Sequence, residues 1–326
     1  MATKNVSIIA LMAAFVFAMP AGAQNGADNY PSRPIRMLVP LSPGTTTDVV
    51  ARTFAGGLSR ELGQSIVVEN KQGAGGTIAA KMAASSAPDG YTILFINSQH
   101  SINPSVYQNL PYNTLTDFEG LALIAEAPSG VIVSPQLGVT TLQEFIALAK
   151  QRPDTIYYAS GGIGSQTHLA GAYFASQAGI RMVHVPYRDS SQVIADLLGG
   201  RVQASFVPPA FLLGQIQEGK LRVLAVTSRE GMLVPVKAPS VSEAAIPGYE
   251  YNTWFGFVAP AKVPAPILER LARAIKHVAG EAEVRKKLLD LAIIPRTLTL
   301  QEFDSYVKSD IEKQAQIADA AEIERH

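Results

Sequence analysis

The sequence predicts an α/β fold of two lobes, and three observations carry that prediction. Short apolar runs of strand length alternate with stretches whose apolar residues recur at helical spacing, as strand–helix–strand units require. The alternation runs once through residues 35–96 and restarts near Val131. Glycine-containing loops recur at equivalent places, after Val39 and after Ala159, so they could face each other across a cleft.

Residues 35–52 set the frame. Ile35, Met37, Leu38 and Val39 read as a buried strand, which Pro40 ends because it has no amide donor. Ser42-Pro43-Gly44 is a turn signal. Thr45, Thr46, Thr47 and Asp48 stand where a helix is capped, and Val49, Val50, Phe54 and Leu58 give that helix one apolar face. The first amides of a helix have no internal partners and carry partial positive charge. The stretch is therefore either a candidate anion cup or an ordinary strand-to-helix connection.

The rest of the first run follows in order. Residues 66–68 form a second strand, 73–77 a glycine loop opening a helix to Ala84, and 91–96 a third strand. This spacing implies parallel pairing with right-handed crossovers. Residues 97–113 read as a polar loop with a short helix near Pro104, and 121–125 as another strand.

The second run has strands at 131–133, 156–159, 182–185, 202–207 and 221–226. Its helices lie near 140–150, 167–178, 193–198 and 210–217; Thr140 and Gln143 fit a capping box for the first. A third section has a strand at 253–258, holding the sole tryptophan, then helices at 264–278, 281–291 and 301–321. Thr299 and Glu302 are a further capping-box signal. Helices after a returning strand imply that the chain goes back to the first lobe.

Composition narrows the functional classes. The 326 residues are 47% hydrophobic and 17% charged, enough apolar material for a large core. Lysine plus arginine equal aspartate plus glutamate at 27 each, so no charge field argues for nucleic acid or a membrane surface. Lys4, an apolar run over 8–17 and Ala21-Gly22-Ala23 make a secretory signal at 1–23, with cleavage expected after Ala23. An exported chain without cysteine fits a bacterial periplasmic protein with a self-sufficient core.

Several motifs admit a functional and a bland reading. The loop SGGIGSQTH at 160–168 has three glycines that permit close backbone approach to a ligand, and Ser165 and Thr167 offer hydroxyls at a helix start. It is neither a dinucleotide fingerprint nor a nucleophile elbow. A plain turn would look similar. None of the five histidines, His100, His168, His184, His277 and His326, stands at metal spacing with another, so no metal is expected. His100 and His168 lie beside loops and are either cleft residues or ordinary hydrogen-bonded histidines. Asp48 and Arg52, four apart on one helix, suit a structural pair. The run Arg285-Lys286-Lys287 is most simply a solvated helix face. Arg188 and Asp189 either bind ligand groups or pair with each other.

In order, the segments YPSRPIRMLVP, LGQSIVVENKQGAGGTIAA, PDGYTILF, INPSVYQNLPYN, YASGGIGSQTHLAG, HVPYR, LLGGRVQASF, GKLRVLAVTS and TWFGFVAPAKVP cover nearly the whole exported chain. Together they resemble the substrate-binding receptors of tripartite tricarboxylate transporters, the Bug-type periplasmic receptors. The resemblance implies a two-lobed type II periplasmic binding protein fold. Each lobe would be a mainly parallel sheet flanked by helices, with residues 30–126 and 228–326 in lobe 1, 127–227 in lobe 2, and two crossing segments between them. It implies a carboxylate ligand held by Ser42, Gly44, Thr45, Thr46 and Thr47 of the first loop. Ser160, Gly161, Gly162, Gly164, Ser165 and His168 of the second loop would complete the site. Ser98, His100, Arg188 and Asp189 adjoin it.

The resemblance also implies a monomer that hands its ligand to membrane permease subunits, with no catalytic residue, cofactor or nucleic-acid partner. An exported hydrolase using Ser165 and His168, or a receptor serving a sensor kinase, would be the alternatives. Two departures from the family pattern stand out: three threonines replace a glycine-rich cup, and Arg188-Asp189 follows Pro-Tyr where Lys-Gly is common. A guanidinium suits a planar carboxylate, and Asp189 could accept from an amine or hydroxyl on the ligand.

Overall fold

The computed structural model describes residues 29–232 and 236–325. The expected signal sequence lies outside them. Strand β1 (Ile35–Val39) buries Ile35, Met37, Leu38 and Val39 and leaves Arg36 exposed, where it pairs with Glu69 at 2.8 Å. Helix α1 (Thr46–Leu62) follows the turn and buries Val50, Phe54 and Leu58 fully, while Val49 points outward. The chain continues through β2 (Ile66–Asn70), α2 (Thr77–Ala84) and β3 (Thr92–Asn97). Both β2 and β3 pair with β1 in parallel, as the spacing requires.

Helix α3 (Gln99–Val106) occupies much of what the sequence suggests is loop. Its buried Ile102 and Val106 are separated by a full turn, a signal masked by the polar residues between them. Strand β4 (Phe118–Pro128) then leads across to the second sheet.

The second sheet begins with β5 (Gly130–Val133), followed by α4 (Leu142–Gln151), β6 (Tyr157–Ser160) and α5 (Gln166–Ala178). After these come β7 (Val183–Pro186), α6 (Ser190–Leu198), β8 (Ala204–Val207), α7 (Leu213–Gln217) and β9 (Arg222–Val226). The capping box of α4 is Thr141 with Glu144, one residue later than Thr140 with Gln143. Helix α8 (Val241–Ala244) packs on this sheet, and β10 (Asn252–Pro260) returns to the first. The chain closes with α9 (Ala265–Gly280), α10 (Ala282–Asp290), β11 (Ile294–Thr299) and α11 (Gln301–Ala320).

The sheets have strand orders β11-β4-β10-β3-β1-β2 and β7-β6-β8-β5-β9. They are mixed rather than mainly parallel. β10 is antiparallel to both β3 and β4, β11 to β4, and β5 to both β8 and β9. The double crossing accounts for β4 with β10 and β5 with β9, where a strand of the outgoing segment and one of the returning segment run in opposite directions.

The second crossing also differs from the expected boundary at 228. Ser129 and Thr227 join the crossing segments through Ser129 N to Thr227 Oγ1 and Thr227 N to Ser129 O, both 2.8 Å. Beyond Thr227, Val241, Tyr249 and Tyr251 bury on the second sheet's side, beside Phe174 and Phe206. The return to the first sheet falls at Asn252.

Strand β11 escaped sequence detection because Pro295 and Arg296 interrupt its pattern; a proline is tolerated there because the strand is at the sheet edge. The Thr299–Glu302 signal is half realised: Glu302 accepts from Thr299 N at 3.3 Å, but Leu300 occupies the cap without a side-chain bond. Helix α11 ties the crossing region together. Trp254 Nε1 donates to Asp310 Oδ2 at 2.7 Å, Tyr251 Oη to Gln314 Oε1 at 3.0 Å, and Lys313 Nζ to the Glu250 carbonyl at 2.8 Å.

Candidate functional site

The carboxyl ends of β1, β3, β6, β7 and β8 point toward one cavity of about 600 Å³. Its first wall starts at the α1 N-terminus. Thr45 caps the helix, its Oγ1 accepting from Asp48 N at 3.4 Å and donating to the Ser42 carbonyl at 2.9 Å. Asp48 is buried and accepts from Gly44 N at 2.9 Å, Asn70 Nδ2 at 2.8 Å and Arg52 Nε at 3.0 Å. Burial alone would push its carboxyl up, but Arg52, the Gly44 amide and Asn70 outweigh burial and hold it below the usual carboxylate range. The turn is thus locked by a neutralised charge, which spares an anion at the helix end from repulsion. Thr46 and Thr47 of the first turn line the cavity.

Asn97, Ser98 and Gln99 extend this wall from the end of β3. Gly76, at φ +86°, lies where a Cβ would meet Pro40 at 2.9 Å, so the glycine loop before α2 presses against the end of β1.

The second wall is the 160–168 loop. Ser165 caps α5, accepting from His168 N at 3.3 Å and donating to the Gly162 carbonyl at 2.7 Å. Gly161 N donates to Thr167 Oγ1 at 3.0 Å. Ser160 Oγ accepts from Gly162 N at 3.1 Å and lies 2.5 Å from His184 Nε2. Gly164 N donates to His168 Nδ1 at 3.2 Å. Gly164 has φ +72° and lies against Val106 of α3, where a Cβ would come within 2.9 Å, and its carbonyl accepts from Gln99 Nε2 at 3.1 Å. The two walls therefore touch here, and this glycine serves their closeness.

Ser98 and Gln166 line the cavity from opposite walls; Ser98 Oγ and Gln166 Nε2 are themselves buried and have no hydrogen-bond partner among the described residues. Buried polar groups are almost always satisfied.

A family model described as "Tripartite tricarboxylate transporter family receptor" matches residues 50–323. The chain belongs to that family. Its relatives include Protein BugT of Bordetella pertussis, 32% identical over 94% of this chain and 95% of the relative. Among solved receptors, R. palustris Rpa4515 with adipate superposes with a TM-score of 0.79 at 31% identity, covering 91% of this chain and all of that one. MatC from Rhodopseudomonas palustris, with bound malate, superposes at 0.73 with 27% identity over 88% and 99%. The tripartite tricarboxylate receptor family is one of periplasmic solute-binding proteins with two lobes, not a family of enzymes.

Within this receptor the expected residues divide. Thr46, Thr47, Ser98, Ser160, Gly161, Arg188 and Asp189 line the cavity. Asp189 also caps α6, accepting from Ser191 N at 2.8 Å, and that backbone bond holds its carboxyl below the usual range. Ser42, Gly44 and Thr45 build the first turn without lining the cavity; Gly162, Gly164, Ser165 and His168 do the same for the second. His100 is buried in the core, stacked on Tyr112 at 5.7 Å and edge-on to Phe118 at 5.1 Å; burial pushes its imidazole down to about 4.

Sequence reasoning missed Gln166, Asn97 and Phe211. Gln166 looks like any helix former, Asn97 like a loop residue, and Phe211 like a core aromatic. Among the described residues no group of three or more His, Cys, Asp or Glu could hold a metal, and no helix is long and apolar enough to cross a membrane.

Proposed function

We propose that this receptor captures a small carboxylate between its two lobes and delivers it to the permease subunits of a tripartite tricarboxylate transporter. The observation that carries the ligand class is one cavity lined from both walls by helix starts, Thr46 and Thr47 of α1 and Gln166 and Thr167 of α5, with Ser98 and Arg188 beside them. The N-termini of α1 and α5 favour negative charge. The proposed contacts are Thr46, Thr47, Ser98, Gly161, Gln166 and Arg188. A carboxylate that satisfies donors on both walls binds best when the walls are close, so it shifts the population toward closure. The closed form would then dock on the permease, after export and removal of the signal following Ala23. The adipate- and malate-bound relatives support a carboxylate.

The hydrolase alternative needs Ser165 activated by His168, with a carboxylate to orient the base. Ser165 Oγ instead donates to the Gly162 carbonyl at 2.7 Å, and His168 Nδ1 accepts from Gly164 N at 3.2 Å while its ring stacks on His184. A thermal-shift screen of the chain from Gln24 onward tests the receptor reading. A carboxylate at about 100 times its dissociation constant adds about 2.7 kcal/mol of stability. No stabilisation by any mono-, di- or tricarboxylate would overturn the proposal.

A further inference from the structure

The cavity is graded from polar to apolar, and the grading runs the same way on both walls. In the second sheet β6 lies between β7 and β8. The loop after β7, carrying Arg188, therefore lies two strands, about 10 Å, from the loop after β8, carrying Phe211. In the first sheet the ends of β1 and β3 supply Thr46, Thr47 and Ser98. Farther along the strand order, β10, β4 and the approach to β11 supply Phe255, Ala127 and Ile293.

Two contacts fix how the walls face each other. The Gln99–Gly164 bond joins their polar ends. At the other end Ala292, next to Ile293, shares an apolar cluster with Val226, and Ala210, next to Phe211, packs against it. The apolar end is lined by Val207, Pro208, Phe211, Phe255, Leu291 and Ile293. The polar residues lining that end, Thr253, Ser205 and Asn97, the last paired directly opposite Phe255, are uncharged, and Ser205 Oγ already donates to the Ala159 carbonyl at 3.4 Å. Phe211 stands on a tight turn, its amide donating to the Pro208 carbonyl at 3.0 Å, with 43% of its surface exposed. An aromatic held this way is poised to cover an apolar group.

We propose that the ligand is a monocarboxylate with an apolar aryl or alkyl body. Its carboxylate sits at the Ser98–Gln166 end and its body extends beneath Phe211 toward Ile293. This rests on the receptor reading above and narrows it. A dicarboxylate of similar length would bring its second charge against Phe255 and Ile293, where, among the described residues, no cation lines the cavity, and it loses its hydration there.

Hexanoate and adipate have the same six-carbon length and differ in the second carboxylate, so calorimetric titration of the purified receptor with each is the direct test. Hexanoate is expected to bind at least about tenfold more tightly than adipate, since its tail buries apolar surface where adipate must bury a charge. Adipate binding as tightly as hexanoate, or more so, would overturn the proposal and leave the receptor reading intact. Absence of binding by both, and by benzoate, malate and citrate, would overturn both. Phe211→Arg supplies a cation at the apolar end and is expected to move the hexanoate-to-adipate ratio at least about tenfold toward adipate. Phe211→Ala, a milder change, is expected to weaken hexanoate by about fivefold or more with little effect on adipate. Unchanged ratios in both variants, with native circular dichroism, would overturn the placement of the body.

Discussion

The imidazole rings of His168 and His184 lie face to face, with centroids 3.6 Å apart and planes within 8° of parallel. Such a stack suits two neutral rings. His168 Nδ1 needs its lone pair to accept the Gly164 amide, and His184 is engaged by Ser160. Burial, aided by the neighbouring His184, pushes His168 down to about 3, and burial pushes His184 down to about 4. The pair braces the ligand loop from behind, and protonating either ring sets a charge against it.

A pH dependence of stability follows. Unfolded imidazoles take up protons near 6.5, whereas the folded ones resist until about 3 to 4. The unfolded state therefore binds more protons throughout that window. The contribution to stability is full above pH 6.5 and falls as the pH drops, by up to about 1.4 kcal/mol per pH unit for each group. Urea midpoints at pH 7 and pH 5 should show the loss, and His168→Asn should make it smaller. An identical loss in that variant would mean the stack does not titrate as described.

Ser98 and Gln166 should separate affinity from stability. Ser98→Ala removes a buried hydroxyl that has no partner, so thermal stability should hold or rise slightly. Ligand affinity should fall about tenfold or more, the loss expected for a hydrogen bond to a charged group. Gln166→Ala should lower affinity similarly. Calorimetry beside thermal unfolding checks both, and a variant that loses stability without losing affinity would count against the proposed contacts.

Gly164→Ala should be costly far out of proportion to one methyl group. The position combines φ +72° with a Cβ site 2.9 Å from Val106 Cγ1. Strain and overpacking together predict a loss of about 1–3 kcal/mol, or a wider separation of the two walls. Chemical denaturation and small-angle scattering would report one or the other; no change in either would remove the wall-to-wall role given to Gly164.

Asp48→Asn tests the lock beneath the first turn. The amide keeps the shape but loses the charge that Arg52, Gly44 and Asn70 converge on. A destabilisation of about 1–3 kcal/mol is expected at pH 7. Because the Asp48 carboxyl is held below its ordinary value, its contribution is full above about 3.8 and is lost as the pH falls through the folded value. Wild type and variant should therefore converge in stability at strongly acidic pH.

What was legible in the sequence is what local periodicity encodes. The β1–α1–β2 run was readable because Val50, Phe54 and Leu58 keep helical spacing and Pro40 stops the strand. The Ser160–His184 contact was not, because it joins residues in separate strands and depends on the register that sets Tyr158 opposite His184. The crossing at Asn252 was hidden for a similar reason: Val241, Tyr249 and Tyr251 could bury against either sheet, and three-dimensional packing alone decides which. Of the expected site, the loops were legible and their division of labour was not. Gly164 and Ser165 look like ligand residues in sequence, yet they shape the loop, while the plainer Gln166 beside them lines the cavity.

Trp254 gives the receptor an optical reporter of its own. It is the sole tryptophan, its carbonyl accepts from Ser98 N at 3.1 Å, and its indole is anchored to Asp310 on α11. The ring is fully buried on the returning strand, with Phe303 edge-on at 5.6 Å. Tryptophan emission, excited selectively over the tyrosines, therefore originates at one point, one hydrogen bond removed from the cavity wall and tied to the helix that spans the crossing segments. A dye-free emission measurement would follow the movement of the hinge itself, in real time and on unlabelled protein.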